Sequence, residues 1–399
     1  MIKYDFKTYV QTSDDNYDDQ IKQIKQKIEI DPMNGWYSVD NCISEQELQK
    51  LIVIANDIKA KYDVMIVIGI GGSYLGAKAV IDAFAPYFKK SKPEIIFAGT
   101  SLSATYLNEL ITYIEDKNVF INVVSKSGDT LETSITFEYF ENYLKSKYSV
   151  EEVNKRIIVT TDLTDGPLRE TVNENKYQSL TIPSDIGGRF SVLTAAGLLP
   201  VAVAGIDVYE LLKGAKINNQ ENAIQYAIVR DKLYKVGKFI ESFTIYEPKL
   251  HSFTEWLKQL FAESQGKENK AIMPISATNT RDLHSLGQYY QDGSRILFET
   301  TIGINKTVDL KIEKYQKSLD EINSIALNSV AKAHNENGTY SNLILLDELT
   351  VINIGELIYF FELAATYGAY LLDLNPFNQP GVEKYKELIN SSLGVKQDD

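Results

Sequence analysis

The chain has 399 residues, of which 44% are hydrophobic and 24% are charged, values typical of a globular protein with a sizeable core. Its formal net charge of −13 argues against a nucleic acid or an anionic membrane surface as the main partner, because both repel an acidic protein. Cys42 is the only cysteine, which excludes a disulfide framework and a cysteine zinc site.

No segment predicts export or membrane insertion. The N-terminal residues lack the charged and apolar regions of a signal peptide. The longest apolar run, residues 195–206, contains Pro200 and is too short to cross a bilayer. We therefore expect a cytoplasmic protein with no membrane partner.

Predicted strands and helices alternate along the first half of the chain. A helix begins at the capping box Ser44 to Glu47 and runs to about Lys61. The strands that follow are Val64 to Ile68, Glu94 to Ala98, Val119 to Val124 and Arg156 to Thr160, with helices ending at Phe84, spanning Ala104 to Ile114, and beginning at Leu131. This alternation predicts a parallel sheet with helices on both faces and ligands at the carboxyl ends of its strands.

The second half repeats this pattern. Candidate strands are Phe239 to Ile245, Ala271 to Met273, Ile296 to Thr300 and Asn342 to Leu346, with helices near 251–264, 281–291, 317–334 and 355–372. The whole pattern predicts the α/β class. We expect an N-terminal segment at 1–42, α/β domains at 43–214 and 215–372, and a C-terminal loop and helix at 373–399.

The stretch Ser125 to Thr133 lies between a predicted strand and a predicted helix. It directs backbone N–H groups, a helix N-terminus and several hydroxyls to one point, which suits a dianionic phosphate. The candidate phosphate ligands are Ser125, Lys126, Ser127 and Thr130, of which the lysine adds a mobile positive charge. On the residues alone, the alternative is an ordinary capped helix, since Ser-Gly-Asp-Thr is common turn chemistry.

A second glycine-rich turn, Gly69 to Gly76, follows the first predicted strand. It is not a dinucleotide fingerprint, because Tyr74 occupies a required glycine position, and not a Walker A loop, because Lys78 comes one place late. We therefore predict no NAD or ATP cofactor. The turn either lets the backbone approach a ligand or is simply a tight strand-to-helix connection.

Six motifs, in order along most of the chain, resemble the glucose-6-phosphate isomerase (phosphoglucose isomerase) family in its short bacterial form. They are Gly69 to Gly76, Ser125 to Thr133, Gly187 to Ser191, Glu263 to Lys267, His284 to Gln288 and Gln379 to Lys386. The resemblance implies two doubly wound sugar-isomerase (SIS-type) domains with parallel sheets. It also implies interconversion of glucose 6-phosphate and fructose 6-phosphate in glycolysis and gluconeogenesis. Ser127 replaces a threonine of many relatives, and Asn378 replaces an aspartate of the longer members.

An aldose–ketose shift through an enediolate needs a base, a stabiliser of negative charge and a ring-opening acid–base pair. Glu263 is the candidate base, because the capping box Ser252 to Glu255 and the stop at Gly266 place it in the last turn of a helix. There the helix dipole and partial burial would raise its proton affinity. Arg189 is the candidate stabiliser. The alternatives are a solvated glutamate and a structural ion pair.

His284 and Lys386 are the remaining catalytic candidates, for ring opening. His284 is expected in the first turn of a helix, where the dipole favours the neutral imidazole. The alternatives are a structural histidine and a surface lysine. The candidate substrate-binding residues beyond the phosphate loop are Gly72, Ser73, Glu132, Gly188 and Gln379. We expect proton transfer without a metal, since no two histidines have ligand spacing.

The resemblance further implies a homodimer in which His284 enters the partner's site. Two other functions stay open on the residues. A sugar-phosphate-binding regulator would keep the loop at Ser125 but would not need Glu263. An isomerase of an amino-sugar or mannose phosphate would need the same chemistry, and sequence does not separate related sugar phosphates.

Overall fold

The computed structural model describes residues 1–6, 16–89, 91–308 and 310–394. Strands β1 to β12 are Ile2–Asp5, Val64–Ile68, Glu94–Ala98, Val119–Val124, Ile157–Thr161, Gln178–Thr181, Ile240–Ile245, Met273–Thr278, Leu297–Lys306, Lys311–Ile312, Lys317–Ser318 and Ser341–Glu348. Helices α1 to α16 are Tyr17–Ile30, Val39–Cys42, Glu45–Lys61, Leu75–Phe84, Ala104–Ile114, Leu131–Lys147, Val150–Arg156, Pro167–Asn175, Ala195–Val203, Val208–Ala215, Gln220–Lys235, His251–Gln265, Gly287–Asp292, Leu319–Glu336, Val351–Leu371 and Glu383–Leu393.

The first sheet has five parallel strands in the order β3-β2-β4-β5-β6. Its central strands β2 and β4 are buried along their whole length, as their runs of Val and Ile predict for a sheet covered on both faces. The chain leaves β2 in one direction and β4 in the other, so a crevice opens between their carboxyl ends. The glycine turn and the loop at Ser125 both begin at this switch point.

The second sheet has the order β1-β12-β9-β7-β8. Its strands β7, β8, β9 and β12 are parallel and follow the same order as the first four of the other sheet. Strand β1 is antiparallel to β12, pairing Ile2 with Leu346. The predicted α/β architecture with parallel sheets is therefore confirmed. The N-terminal segment adds one antiparallel edge strand that was not predicted, because it is only four residues long.

Several local predictions need correction. Strand β6 was not predicted, because its four residues are only partly buried and carry little apolar signal. The strand expected at 271–273 runs from Met273 to Thr278. The helix expected at 281–291 consists of a 3-10 turn, Arg281–His284, and the separate α13. Glu47 accepts a hydrogen bond from the Thr181 N–H instead of closing the predicted capping box at Ser44.

One apolar cluster joins both sheets. It extends from Leu51 and Phe190 to Phe243 and Phe361, and helix α15 is buried along most of its length inside it. Because this core crosses the expected domain limits, the boundaries at 42, 214 and 372 stay predictions. In the part of the chain that the structure describes, no helix combines the length and apolar character needed to cross a membrane.

Candidate active site

The turn Gly71–Ser73 is the centre of the candidate site, because three other segments approach it closely. A Cβ atom on Gly72 would lie 2.1 Å from the carbonyl O of Gly188, and one on Gly69 would lie 2.9 Å from that of Val124. Gly71 has a φ of +57° and faces the Gln259 amide. Glycine is therefore required here for close packing against the protein itself, and the approach of a ligand to this turn stays a prediction.

The loop after β4 retains an open helix N-terminus. Thr130 is the N-cap of α6, yet its side chain makes no capping hydrogen bond, so the first N–H groups of the helix stay available to an anion. Ser125 Oγ accepts from the Gly128 N–H at 3.0 Å, and the Ser127 hydroxyl donates to Asp129. Gly128, with a φ of +82°, provides the turn that follows these two serines.

Lys126 is not the mobile charge that we expected. Its Nζ donates to the carbonyl oxygens of Ser184 at 2.6 Å and Ile186 at 3.1 Å. Burial lowers the pKa of this lysine, while Asp162 and Asp185 oppose the shift. The ammonium therefore connects the loop to the segment that leads into Gly187 and Gly188, and its contact with a phosphate stays a prediction.

Arg189 and Glu263 lie together although they are distant in sequence. Arg189 Nη1 is 3.5 Å from Glu263 Oε2, and the side chains are 4% and 33% exposed respectively. Burial lowers the pKa of Arg189, and the Glu263 carboxylate opposes that shift. Nη1 is buried and donates no hydrogen bond to any described residue. A buried guanidinium N–H beside a carboxylate is suited to stabilise an oxyanion formed there.

Helix α12 presents Glu263 in its last turn, as predicted, and its C-cap is Gly266. The predicted capping box at 252–255 is wrong, because the helix begins at His251 after a 3-10 turn and the Ser252 hydroxyl donates to Asp82 instead. Gln259, one turn before Glu263, donates to Glu263 Oε1 at 3.1 Å. The carboxylate is thus held between an amide and a guanidinium.

The end of α12 is anchored by a buried polar network. Gln265 accepts from Arg230 Nη1 at 2.8 Å and donates to the Ala365 carbonyl at 2.9 Å. Arg230 Nε donates to the buried Glu241 carboxylate at 2.7 Å. Because these groups are buried and the arginine bonds are charge-assisted, the network fixes the backbone next to Glu263.

The loop before the C-terminal helix contacts Arg189. Arg189 Nη2 donates to the carbonyl oxygens of Phe377 at 2.8 Å and Asn378 at 3.4 Å. The neighbouring Gln379 is exposed, so the structure brings its backbone near Arg189 but gives its side chain no described partner. Lys386 is also exposed and pairs with Glu383 at 3.1 Å.

His284 and Glu132 are not joined to this cluster by any hydrogen bond or ion pair between described residues. His284 is exposed and ends the 3-10 turn, so the expected place in the first turn of a longer helix is wrong. Glu132 is partly buried in the first turn of α6. The role of Glu132 in substrate binding stays a prediction.

Of the other two histidines, His334 is buried and its Nδ1 lies 2.5 Å from Glu299. His251 is exposed and is the first residue of α12, not its cap. Across the described residues, no three His, Cys, Asp or Glu side chains are grouped so as to hold a metal ion.

Gln259 and Lys267 are neighbours of Arg189 and Glu263 that sequence reasoning did not identify. Gln259 lies four residues before Glu263, a spacing that places two side chains on one helix face, so the helix period contained the signal. Lys267 ends the motif Glu263 to Lys267, but its contact with the Asn375 carbonyl spans 108 residues, so no local sequence pattern indicates it.

Comparison with known proteins identifies close relatives of the whole chain. Residues 55–319 match the family model described as phosphoglucose isomerase. A glucose-6-phosphate isomerase from Caldanaerobacter subterraneus subsp. tengcongensis is 42% identical over 388 residues, which cover 90% of this chain and 86% of the relative.

Solved structures agree on the fold. A hypothetical protein from Thermus thermophilus superposes with a TM-score of 0.86 over 98% of this chain and 100% of its own, at 24% identity. A glucose-6-phosphate isomerase from Chlamydia trachomatis superposes with a TM-score of 0.80 over 94% of this chain and 84% of its own, at 20% identity.

Proposed function

The chain belongs to the phosphoglucose isomerase family, and on that premise we propose that it interconverts D-glucose 6-phosphate and D-fructose 6-phosphate. It is an aldose–ketose isomerase of glycolysis and gluconeogenesis, and a sugar phosphate is its substrate. The observation that carries the mechanism is the pairing of Arg189 Nη1 with Glu263 Oε2, 3.5 Å apart beside the glycine turns. A carboxylate and a buried guanidinium in contact supply the base and the charge stabiliser that the reaction needs.

In this mechanism the loop at 125–130 binds the phosphate and the Arg189–Glu263 pair acts on the other end of the sugar. The open N-terminus of α6 and the hydroxyls of Ser125, Ser127 and Thr130 hold the dianion. This binding would direct C1 and C2 toward the carboxylate, because the glycine turn lies next to both Val124, before the loop, and Gln259, on the helix of Glu263. Gly72 and Gly188, whose backbones touch, hold the glycine turn and the Arg189 segment together beside the sugar.

Glu263 removes the proton from C2 of the aldose, a proton passes from O2 to O1 in the enediolate, and Glu263 returns its proton to C1, giving the ketose. The enediolate between these steps carries negative charge on oxygen, which Arg189 Nη1 stabilises. No hydrogen bond to another described residue occupies this nitrogen. Gln259 holds the second carboxylate oxygen, so that Oε2 faces the substrate.

Ring opening is assigned to His284 and Lys386, and Gln379 contacts the sugar. We place His284 in the site of a second copy, because it is exposed and shares no hydrogen bond or ion pair with Arg189 or Glu263 within the described residues. This assignment makes the enzyme a homodimer with composite sites. We also propose that it acts in the cytoplasm, where its phosphorylated substrates are formed and consumed.

A coupled assay tests the activity directly. The purified protein is given fructose 6-phosphate, and glucose 6-phosphate formation is followed through a dehydrogenase, with mannose 6-phosphate in a parallel reaction. We expect rapid turnover of the first substrate. Binding without turnover would indicate a regulator, and preferred turnover of mannose 6-phosphate would indicate a different isomerase.

A further inference from the structure

Basic side chains hold the C-terminal loop, residues 372–379, against the candidate site. Arg189 donates to the Phe377 carbonyl, and Lys267 Nζ donates to that of Asn375. Lys270 Nζ lies 3.3 Å from the Leu372 carbonyl at the far end of the loop. Carbonyl oxygens that accept from cations form strong hydrogen bonds, so Arg189 and Lys267 fix the part of the loop next to the site, whereas Lys270 contacts only its far end.

Lys267 and Arg189 are linked through the loop itself. The Asn375 carbonyl accepts from Lys267, and its side-chain Oδ1 accepts from the Phe377 N–H at 2.8 Å. The Phe377 carbonyl in turn accepts from Arg189 Nη2 at 2.8 Å. The Phe377 ring packs on Phe190, which is next to Arg189 in the chain, with centroids 5.6 Å apart. A continuous chain of contacts therefore runs from Lys267 to the guanidinium.

We propose that Lys267 is a positioning residue for the isomerisation. By holding the Asn375 carbonyl, it fixes residues 375–379 and so sets the orientation of Arg189 against Glu263. The same contact fixes the backbone at Gln379. This inference rests on the proposed function and assigns Lys267 no contact with substrate.

The surroundings of Lys267 make the contact sensitive to pH. Burial and then the charge of Arg189 lower the pKa of Lys267 to about 8, while the Glu263 carboxylate opposes the shift. These two residues are the charged groups that act on it. Above that pH the ammonium becomes a neutral amine, which is a weaker donor, so the hold on Asn375 weakens as pH rises.

Lys267→Met tests the proposal, with Lys270→Met as the matched control in the same turn. We expect Lys267→Met to lower kcat/KM by on the order of 10- to 100-fold, mainly in kcat, because small misplacement of catalytic groups has effects of this size. Amide hydrogen exchange within 375–379 should accelerate in this variant alone. Lys267→Arg should retain activity and shift the alkaline decline of kcat/KM to higher pH.

A second substitution protects the test against misfolding. Asn375→Ala removes the Oδ1 atom that accepts from the Phe377 N–H, so it breaks the same chain of contacts at an exposed residue. If Lys267 acts through this chain, the double variant with Lys267→Met should lose no more activity than the worse single variant. Wild-type protein without isomerase activity would overturn the proposed function. An active wild type combined with unchanged kcat/KM in Lys267→Met, or with an equal loss in Lys270→Met, would overturn the positioning role.

Discussion

The parallel strands of the two sheets share one order, but their switch points are built differently. In the first sheet, β2 and β4 run into glycine turns at Gly69 and Gly128, where other backbone segments pack closely. In the second sheet, β7 runs into the buried Tyr246 and then Glu247, whose carboxylate caps the Lys249 N–H. The same topology therefore places glycine turns after the strands of one sheet and a capped, partly buried segment after the corresponding strand of the other.

The central strands of the two sheets also differ in the charged residues that they bury. The central strands of the second sheet contain the buried carboxylates Glu241 and Glu299, which are paired with Arg230 and His334. The second sheet contributes to the site through helix α12, which packs on α4 and presents Glu263 to the first sheet. Strand order thus provides a place for a site, and the residues after the strands decide whether one forms. We assign binding to the first sheet and proton transfer to the second.

Glu263→Gln should separate these two roles with the largest effect. The amide keeps the shape of the side chain but does not take a proton, so kcat should fall by about 10²- to 10⁴-fold while substrate binding persists. Exchange of the substrate C2 proton with deuterated solvent should also disappear. Glu268→Gln, which changes an exposed carboxylate five residues later, is the control. Normal exchange in Glu263→Gln would remove Glu263 from the base role.

Mixing inactive variants should restore activity if each site uses two chains. Glu263→Gln and His284→Ala are refolded together, and one site of each mixed dimer then combines an intact Glu263 with the partner's intact His284. Random pairing makes half of the dimers mixed, so about a quarter of all sites should recover. Verified mixed dimers without activity would place both residues in the site of one chain or remove His284 from it.

Ser127→Ala should weaken binding and leave proton transfer intact. Loss of one hydrogen bond to a charged phosphate weakens binding by about 1.5 kcal/mol, or roughly 10-fold. KM and the inhibition constant of a five-carbon sugar phosphonate should rise together, with kcat little changed. Ser134→Ala is the control, because that hydroxyl donates to the Thr130 carbonyl. Unchanged inhibitor affinity would place the phosphate elsewhere.

Two alanine substitutions at the glycine turns should have smaller effects, one on stability and the other on substrate affinity. Gly72→Ala places a Cβ 2.1 Å from the Gly188 carbonyl, so Tm should fall. Gly188→Ala meets no described atom within 4 Å, so Tm should hold while substrate affinity falls several-fold. Thermal unfolding and substrate titration of both variants check this. Unaltered affinity in Gly188→Ala would mean that the turn does not line the substrate site.

The sequence by itself determined the elements and the local form of the turns. The strands Val64–Ile68 and Val119–Val124 and the helix Ala104–Ile114 match their predicted limits, because continuous apolar runs and helical spacing are strong local signals of buried strands and amphipathic helices. The motifs also identified the family. Short or partly exposed elements such as Ile2–Asp5 and Gln178–Thr181 were missed, since they pair with distant strands and carry little periodic signal.

The tertiary structure alone decided which of these residues meet. Arg189 approaches Glu263 and the Phe377 carbonyl across long stretches of chain, and Lys126 turns away to the Ser184 carbonyl instead of remaining mobile. His334, which had no assigned role, is buried against Glu299. Such contacts depend on how packed layers orient side chains relative to one another, and that orientation is set by the whole core and not by neighbours in sequence.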